Sequence, residues 1–247
     1  MSEKTVTLRV KRYRPAISEK PYYQDYQVPY RNDMVVLDAL NHVKDEVDST
    51  LTYRWSCRMG ICGSCGATVN GVPKLTCAVY VKDLKGDVIE VEPLYNFPVI
   101  KDLVVDISDF MEKLEGVKPW IIREDEKPIE QGEYLQTPEQ MDLYHQFSMC
   151  INCMLCYAAC PVYGADKHFV GPAAAALGYR YILDSRDKGR EDRLTLLMEH
   201  GTWDCTFVGE CSVVCPKKVD PAIALQRVKL MGAMETIKSL LMPRGGK

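Results

Sequence analysis

The sequence carries eleven cysteines, and they fall into three clusters. Four lie between Cys57 and Cys77, four between Cys150 and Cys160, and three between Cys205 and Cys215. An odd number of thiols in a long chain does not suggest a disulfide framework, and disulfides seldom persist in a reducing cytosol. Cysteines grouped in this way are typical of ligands for metals or iron–sulfur clusters. The spacing therefore predicts metal or redox chemistry.

The first cluster follows the pattern C-x4-C-x2-C, with a fourth cysteine further along the chain. This spacing is typical of plant-type ligation of a 2Fe–2S cluster. The predicted ligands are Cys57, Cys62, Cys65 and Cys77. The loop must aim its backbone N–H groups at the sulfurs, and Gly60, Gly63 and Gly66 permit positive φ and close backbone approach. Zinc is the alternative, although zinc motifs usually present two separate C-x2-C pairs.

The second cluster, Cys150 to Cys160 followed by Pro161, reads C-x2-C-x2-C-x3-C-P, the bacterial ferredoxin run. The third cluster repeats this pattern from Cys205 to Pro216, except that Val208 stands where the second cysteine belongs. In two-cluster ferredoxins the fourth cysteine of a run ligates the other cluster. This exchange predicts a 4Fe–4S cluster held by Cys150, Cys153, Cys156 and Cys215.

Three thiolates then remain, Cys160, Cys205 and Cys211, and Val208 stands at the fourth corner. Because an iron without a protein ligand is easily lost, the expected product is a 3Fe–4S cluster. The alternative is that another group supplies the missing ligand. The sequence shows no convincing flavin or nicotinamide fingerprint. Three clusters in one chain predict a protein that carries single electrons and has no catalytic residue of its own. A partner must therefore supply the two-electron centre.

The first hundred residues are predicted to be rich in β-structure around one helix. The expected strands are Thr5–Val10, Tyr26–Tyr30, Ala67–Val69 and Leu75–Val81. Asn70-Gly71 is a strong hairpin turn signal. Apolar residues at helical spacing predict the helix over Val35–Val43.

After about residue 101 the apolar period becomes helical. One predicted helix face comprises Leu103, Val104, Ile107, Phe110, Met111 and Leu114. An irregular connection is expected over Lys118–Gln136, and helices are expected to begin after Thr137, near Pro172 and at Asp220-Pro221. In the last helix, Leu230, Met234, Ile237 and Leu241 form a stripe that we expect to pack against its own domain rather than a partner. The predicted domains are 1–105 and 106–247.

Charge and hydropathy limit the partners. Lys and Arg number 31 against 34 Asp and Glu, a net charge of -3, which argues against nucleic acid. The start of the chain has no secretory h-region, and no apolar run reaches the roughly 18–20 residues that span a bilayer. These features predict a soluble, cytoplasmic chain, whose segment from Pro216 onward is locally positive.

Longer stretches of the chain resemble the iron–sulfur subunit of fumarate reductase and succinate dehydrogenase, the complex II family. They are Arg54–Gly66, Asn96–Pro98, Asp102–Asp106, Asp184–Asp187 and Cys215–Pro221. The resemblance implies an α+β fold, with an N-terminal plant-type ferredoxin (β-grasp) domain followed by an all-α bacterial-ferredoxin-like domain. It also implies a flavoprotein partner that holds FAD and the dicarboxylate site, and membrane anchor subunits that bind quinone.

Within this family the chain is more similar to the fumarate reductase branch. It reads Val162-Tyr163-Gly164 after Cys160-Pro161, where succinate dehydrogenases of the mitochondrial kind carry a tryptophan that contacts ubiquinone. The resemblance therefore implies menaquinone as the quinone. Lys229 matches a lysine that helps to bind quinone in fumarate reductases, and Gln226, Thr206 and Phe207 occupy neighbouring positions.

The implied activity is that of a quinol:fumarate reductase in anaerobic respiration, held by anchor subunits at the cytoplasmic face of the inner membrane. Three alternatives remain. The same subunit could serve a succinate dehydrogenase that passes electrons from succinate to quinone in the citric acid cycle. The chain could belong to another flavin complex, such as a heterodisulfide reductase or glycolate oxidase relative. It could also be a zinc-stabilised binding module.

Overall fold

The computed structural model describes residues 4–124 and 126–241. The chain divides into two compact units. The first runs up to Asp109 and includes Ile151–Ala159, and the second comprises Phe110–Cys150 and the chain from Cys160 onward. The first unit therefore takes in a short segment from the second half of the sequence. The domain limits 1–105 and 106–247 assume a single boundary and stay a prediction.

The first unit is built on a five-stranded sheet in the order β2-β1-β5-β3-β4. Its strands are β1 (Thr5–Arg12), β2 (Tyr22–Pro29), β3 (Gly66–Val69), β4 (Val72–Leu75) and β5 (Val88–Glu92). β1 pairs with β2 antiparallel and with β5 parallel, and β3 pairs antiparallel with both β4 and β5. A separate two-stranded ribbon is formed by β6 (Val99–Lys101) and β7 (Val104–Val105).

Helix α1 (Val36–His42) packs on one face of this sheet. Strand β1 alternates, so that Val6, Leu8 and Val10 are buried in one core with Leu40 of the helix. The carboxylate of Asp38 accepts the N–H of Val35 at 3.0 Å, which satisfies a free donor where the helix begins. A small sheet curved around one helix is the arrangement expected for the N-terminal domain, and the α+β fold class is confirmed.

The structure corrects one predicted strand. Asn70 and Gly71 form the expected hairpin turn, with φ of 48° and 77°. This two-residue turn pairs Val69 directly with Val72, so the returning strand is Val72–Leu75 rather than Leu75–Val81. After Leu75 the chain leaves the sheet in short 3-10 turns that carry Cys77.

A buried ion-pair network fixes the chain just before the first cysteine loop. Arg12 is fully buried and contacts Asp102 (Nε to Oδ1, 2.9 Å) and Asp48 (Nη1 to Oδ2, 2.6 Å). The second carboxylate oxygen of Asp102 accepts the N–H of Thr52 at 2.9 Å. The segment between Asp48 and Thr52 is therefore anchored to strand β1.

The described part of the second unit is helical. In chain order the α-helices of the second half are α2 (Ser108–Gly116), α3 (Pro138–Asp142), α4 (His145–Ser148), α5 (Leu155–Ala158), α6 (Pro161–Ala165), α7 (Pro172–Ile182), α8 (Arg190–Glu199), α9 (Glu210–Val213) and α10 (Pro221–Leu241). Among these, α5 belongs to the first unit. Helix α3 begins at the predicted capping box, in which the hydroxyl of Thr137 accepts the N–H of Gln140 at 3.3 Å. The predicted helix face from Leu103 was wrong at its start, because Val104 pairs in the ribbon and α2 begins at Ser108.

The irregular connection predicted over 118–136 is present in the described residues of that range, apart from one 3-10 turn, and a buried arginine holds its beginning. Arg193 on α8 donates to the carbonyl oxygens of Lys118 (2.9 Å) and Trp120 (2.7 Å) and to the carboxylate of Asp187 (2.5 Å). The buried guanidinium of Arg193 thus supplies hydrogen bonds to backbone carbonyl oxygens of an irregular segment.

Helix α10 overturns another prediction. Its buried face carries Leu225, Val228 and Gly232, and this face packs on α7 and α8. A Cβ on Gly232 would overlap the side chain of Met198. The stripe expected to pack against its own domain lies on the opposite side, and its exposed fractions are 65% for Leu230, 58% for Met234, 54% for Ile237 and 77% for Leu241. Within the described ranges, no helix is long and apolar enough to span a membrane.

Candidate iron–sulfur centres

The first cysteine loop aims backbone N–H groups at its sulfurs. The N–H groups of Met59, Ile61 and Cys62 lie 3.5, 3.4 and 3.3 Å from Cys57 Sγ. The N–H of Gly60 lies 3.3 Å from Cys77 Sγ. These backbone donors lower the pKa of Cys57 to about 6. The loop is therefore built to stabilise negative charge on sulfur, which is what a thiolate-ligated cluster requires.

Positive backbone angles let this loop curl. Arg58, Gly60 and Gly63 have φ of 59°, 68° and 72°. The guanidinium of Arg58 stacks over the ring of Trp55 at 4.4 Å from its centroid. A Cβ on Gly63 would lie only 2.7 Å from the carbonyl oxygen of Ile151, so glycine is required there for close approach as well as for φ.

The glycines also bring the first loop against the start of the second cysteine run, within the first unit. A Cβ on Gly63 would lie 3.0 Å from Cys153 Cα, and one on Gly66 would lie 3.2 Å from the Cys153 carbonyl oxygen. Gly63 and Gly66 flank Cys65. Ligand-bearing segments of two predicted clusters are therefore in direct backbone contact.

The four cysteines of the first cluster divide by exposure. Cys62 is exposed and Cys57 is half-buried, whereas Cys65 and Cys77 are buried. The backbone and the hydroxyl of Thr76 both donate to the carbonyl oxygen of Cys65 at 3.1 Å. Burial raises the pKa of Cys77 to about 11. One side of the loop is thus exposed, and the other is buried.

The cysteines predicted to hold the 4Fe–4S cluster come from both units. Cys153 and Cys156 are buried in the first unit, whereas Cys150 and Cys215 are half-buried in the second. In the first unit the chain turns around Cys153 through Asn152 and Met154, whose φ values are 53° and 66°. The side-chain amide of Asn96 then donates to the carbonyl oxygens of Tyr157 and Ala158, both at 3.0 Å, and fixes helix α5. The complete four-cysteine set stays a prediction.

The remaining three cysteines come together in the second unit. Cys160, Cys205 and Cys211 line one pocket, together with Val208. Val208 is 58% exposed and offers no donor atom to the pocket. The N–H of Tyr163 lies 3.5 Å from Cys160 Sγ. Burial raises the pKa of Cys160 and raises that of Cys211 to about 12. The cysteine motif alone predicted that these four side chains surround one site.

The residues proposed for quinone gather around Cys205. Thr206 and Phe207 line the same pocket as the three cysteines. The ammonium group of Lys229 donates to the Cys205 carbonyl oxygen at 2.6 Å. The amide of Gln226 lies 3.8 Å from Cys205 Sγ. The sequence did not reveal either contact, because no spacing rule relates a helix residue to a cysteine in a distant loop.

Trp203 also lies near Lys229. Its ring is half exposed, and the Lys229 ammonium lies 6.0 Å from the ring centroid. It stands outside the cysteine motif, so no pattern singled it out.

Among the described residues, no three His, Cys, Asp or Glu side chains converge tightly enough to hold a single metal ion.

Two family models match the chain. Residues 7–112 match a 2Fe-2S iron-sulfur cluster binding domain, and residues 146–219 match a 4Fe-4S dicluster domain. These matches agree with the donor chemistry of the two regions, which is thiolate sulfur in N–H-rich or buried surroundings.

Curated relatives cover nearly all of the chain. A fumarate reductase iron-sulfur subunit of Mycobacterium tuberculosis is 59% identical, with 98% of each chain covered. One of Escherichia coli O157:H7 is 50% identical, also with 98% of each chain covered. A mitochondrial succinate dehydrogenase [ubiquinone] iron-sulfur subunit of Dictyostelium discoideum is 37% identical, covering 92% of this chain and 82% of its own.

A solved structure shows the same fold. A chain of the Mycobacterium smegmatis Sdh1 complex in the apo form superposes with a TM-score of 0.84 at 29% sequence identity. The match covers 96% of this chain and 98% of that one.

Proposed function

This chain belongs to the family of iron–sulfur subunits of fumarate reductases and succinate dehydrogenases, and on that premise we propose that it passes single electrons between menaquinol at a membrane anchor and FAD in a flavoprotein subunit. The chain is an electron-transfer component of an oxidoreductase, with 2Fe–2S and 4Fe–4S domains. The proposal adds the assignment of the third cluster to its pocket, the ligand sets, the quinone and the partner subunits.

The observation that carries the proposal is the pocket of Cys160, Cys205 and Cys211. Three thiols face it, and the fourth position of the motif is filled by the apolar side chain of Val208. A cubane bound here would lack one protein ligand, and its unliganded iron would be easily lost. We therefore assign a 3Fe–4S cluster to this pocket. The assigned ligand sets are Cys57, Cys62, Cys65 and Cys77 for 2Fe–2S, Cys150, Cys153, Cys156 and Cys215 for 4Fe–4S, and Cys160, Cys205 and Cys211 for 3Fe–4S.

The bound clusters would supply the one-electron chemistry, and the protein's own contribution is to hold and insulate them. The N–H groups around Cys57 and Cys77 stabilise negative charge on sulfur. The contact of Gly63 and Gly66 with Cys153 leaves no space for solvent between two ligand-bearing segments.

Exposed apolar side chains support two partner surfaces. Around the open side of the first loop, Trp55, Met59 and Ile61 are exposed, which suits docking of the flavoprotein that would hold FAD and the dicarboxylate site. In the second unit, Phe207 and Val208 are exposed beside the three-cysteine pocket, and helix α10 presents its exposed stripe. These surfaces suit membrane anchor subunits at the cytoplasmic face of the inner membrane.

The fumarate reductase relatives favour that branch. Their identity to this chain is 48–59%, against 37–38% for the mitochondrial succinate dehydrogenase relatives. The second candidate function is the same subunit in a succinate dehydrogenase that delivers electrons from succinate to quinone. Comparison of fumarate reduction by menaquinol with succinate oxidation by ubiquinone in the purified complex decides between them.

The cluster content is tested by iron and acid-labile sulfide analysis with electron paramagnetic resonance (EPR). We expect about nine irons and ten sulfides per chain, with a 3Fe–4S signal in the oxidised sample and a 2Fe–2S signal after dithionite. Zinc without iron would overturn the electron-transfer assignment. About ten irons with no 3Fe–4S signal would overturn the assignment of the Val208 pocket.

The variant Val208→Cys supplies the missing thiol and tests the same pocket directly. We expect one additional iron per chain and loss of the oxidised 3Fe–4S signal. The matched control is Val213→Cys, which adds an exposed thiol on helix α9 away from the pocket lining. Retention of the 3Fe–4S signal in Val208→Cys as well as in the control would contradict the proposed geometry.

A further inference from the structure

Helix α10 holds Cys205 at two points. The side-chain amide of Gln226 lies 3.8 Å from Cys205 Sγ, and the ammonium of Lys229 lies 2.6 Å from the Cys205 carbonyl oxygen. The two residues are three apart, so they project from one side of the helix. Leu225 and Val228, each adjacent to one of them, are fully buried, which fixes the position of this part of α10. Cys205 is thus tied to a rigid element through side chains.

The hydrogen bond to Cys205 Sγ has a different source from the backbone hydrogen bonds to Cys57 and Cys160. Cys57 and Cys160 receive backbone N–H groups, which every residue type except proline would supply. Within the described ranges, the one hydrogen bond to Cys205 Sγ comes from the Gln226 side chain. This donor exists only because of the residue at position 226, so a substitution can remove it.

A hydrogen-bond donor directed at a ligating sulfur changes the reduction potential of the cluster that the sulfur holds. Reduction adds negative charge to the cluster and its thiolates, and an N–H directed at sulfur stabilises that added charge. Hydrogen bonds to the sulfurs are among the factors that set reduction potentials of iron–sulfur clusters. The oxidised cluster carries less negative charge, so it gains less from the bond than the reduced cluster does. Loss of the bond therefore destabilises the reduced state more, which lowers the reduction potential.

We propose that Gln226 is a positioning residue that raises the reduction potential of the cluster held by Cys160, Cys205 and Cys211, through its amide N–H on Cys205 Sγ. Lys229 assists by fixing the backbone of Cys205 under that amide. One electron enters or leaves the cluster in each step, and the amide proton stays on the Gln226 nitrogen throughout. The inference rests on the ligand set proposed above for the 3Fe–4S cluster.

This role differs from the quinone contact that the family resemblance implied for Gln226. A quinone contact requires the amide to point at the ligand, whereas the structure directs it at the sulfur. The two roles separate experimentally. A sulfur contact changes the cluster potential, whereas a quinone contact changes the KM for quinol and leaves the potential unaltered.

The test is an EPR-monitored redox titration of the purified complex with Gln226→Met, which keeps side-chain length but removes the donor. At the potential where the unmodified 3Fe–4S cluster is half reduced, we expect the oxidised form to exceed the reduced form about tenfold in the variant. This ratio corresponds to a fall of about 59 mV in the midpoint potential of a one-electron couple. The 2Fe–2S midpoint should not move. Gln226→Asn keeps the amide but shortens its reach, and we expect the same direction of shift. Thr236→Val, further along α10, is the control and should leave the potential unchanged.

Each outcome is decisive. A normal 3Fe–4S signal with an unshifted midpoint in both Gln226 variants overturns the role of Gln226 and leaves the proposed function standing. Absence of the signal from the unmodified complex overturns the ligand set, and the inference with it. If Gln226→Met loses the cluster, the Gln226→Asn midpoint decides. Loss of an exchangeable-proton coupling to the cluster in the variants would support the hydrogen bond directly.

Discussion

Replacing Gly63 by alanine tests how tightly the first cysteine loop is pressed against the second cysteine run. Gly63 has φ of 72°, and a Cβ there would lie 2.7 Å from the Ile151 carbonyl oxygen and 3.0 Å from Cys153 Cα. The nearest atoms include main chain, so a change of side-chain rotamer cannot relieve the overlap. The Gly63→Ala variant must move one ligand-bearing segment away from the other.

The expected cost has two parts. Placing an L-residue in the left-handed region costs about 1–2 kcal/mol. Forcing a methyl group into packed surroundings costs about 1–3 kcal/mol more. Their sum of about 2–5 kcal/mol corresponds to a fall in melting temperature of roughly 6–15 °C.

Gly60→Ala is the matched control, because it separates the two costs. Gly60 lies in the same loop at φ of 68°, but the nearest atom to its added Cβ is Ala78 Cβ at 4.0 Å. Only the backbone cost of about 1–2 kcal/mol applies, which corresponds to roughly 3–6 °C.

The assay is thermal unfolding of the purified complex, together with the intensity of the 2Fe–2S EPR signal after dithionite. We expect Gly63→Ala to lose more stability and more 2Fe–2S signal than Gly60→Ala. Equal losses in the two variants would refute the reasoning, because they would show that the contact with Ile151 and Cys153 imposes no constraint beyond the backbone angle.

Two further predictions concern a buried charge and a perturbed thiol. Arg193→Met should lower the free energy of unfolding by about 3–5 kcal/mol in denaturant titration, because it leaves the buried carboxylate of Asp187 unpaired. The control is Arg190→Met on the same helix, where the arginine is exposed, and its effect should be under about 0.5 kcal/mol. Similar values for the two variants would contradict the importance of the buried pair. In the cluster-free chain, iodoacetamide should alkylate Cys57 at a rate that falls as the pH drops through about 6, because the thiolate is protonated below its pKa. Cys211 has a pKa of about 12 and should stay a thiol over the same range. A Cys57 midpoint near 8.5, measured by mass spectrometry, would show that the backbone donors do not act on it.

Local chemistry explains which elements were predicted correctly. Asn70-Gly71 forms a two-residue turn because both positions adopt positive φ, and the Thr137 capping box forms within four consecutive residues. Helices α7 and α10 begin at Pro172 and Pro221 as expected, since proline suits the first helical turn. Each of these features depends on neighbours in the chain, which the sequence displays directly.

The failures have other causes. The stripe of α10 has the right period for packing, but period alone does not say which of two faces meets the rest of the unit. Small Gly232 permits close approach to Met198, so that side became the buried one and Leu230 was left exposed. The strand predicted over Leu75–Val81 failed because the two-residue turn pairs Val69 with Val72, so that the returning strand ends at Leu75 and a 3-10 turn with Cys77 follows. In α10 a tertiary contact decided the outcome, and in the hairpin the register set by the turn did.

The sequence by itself determined the chemistry of the three cysteine groups, because ligand type and spacing are local properties that a cluster imposes on the chain. It also pointed to Val208 as the gap in the third group. Only the tertiary structure decided what surrounds each sulfur. It brought Gly63 against Cys153 and set Gln226 on Cys205, contacts between residues far apart in sequence. Such contacts depend on how helices and loops pack, and packing is settled by the whole chain rather than by any one segment.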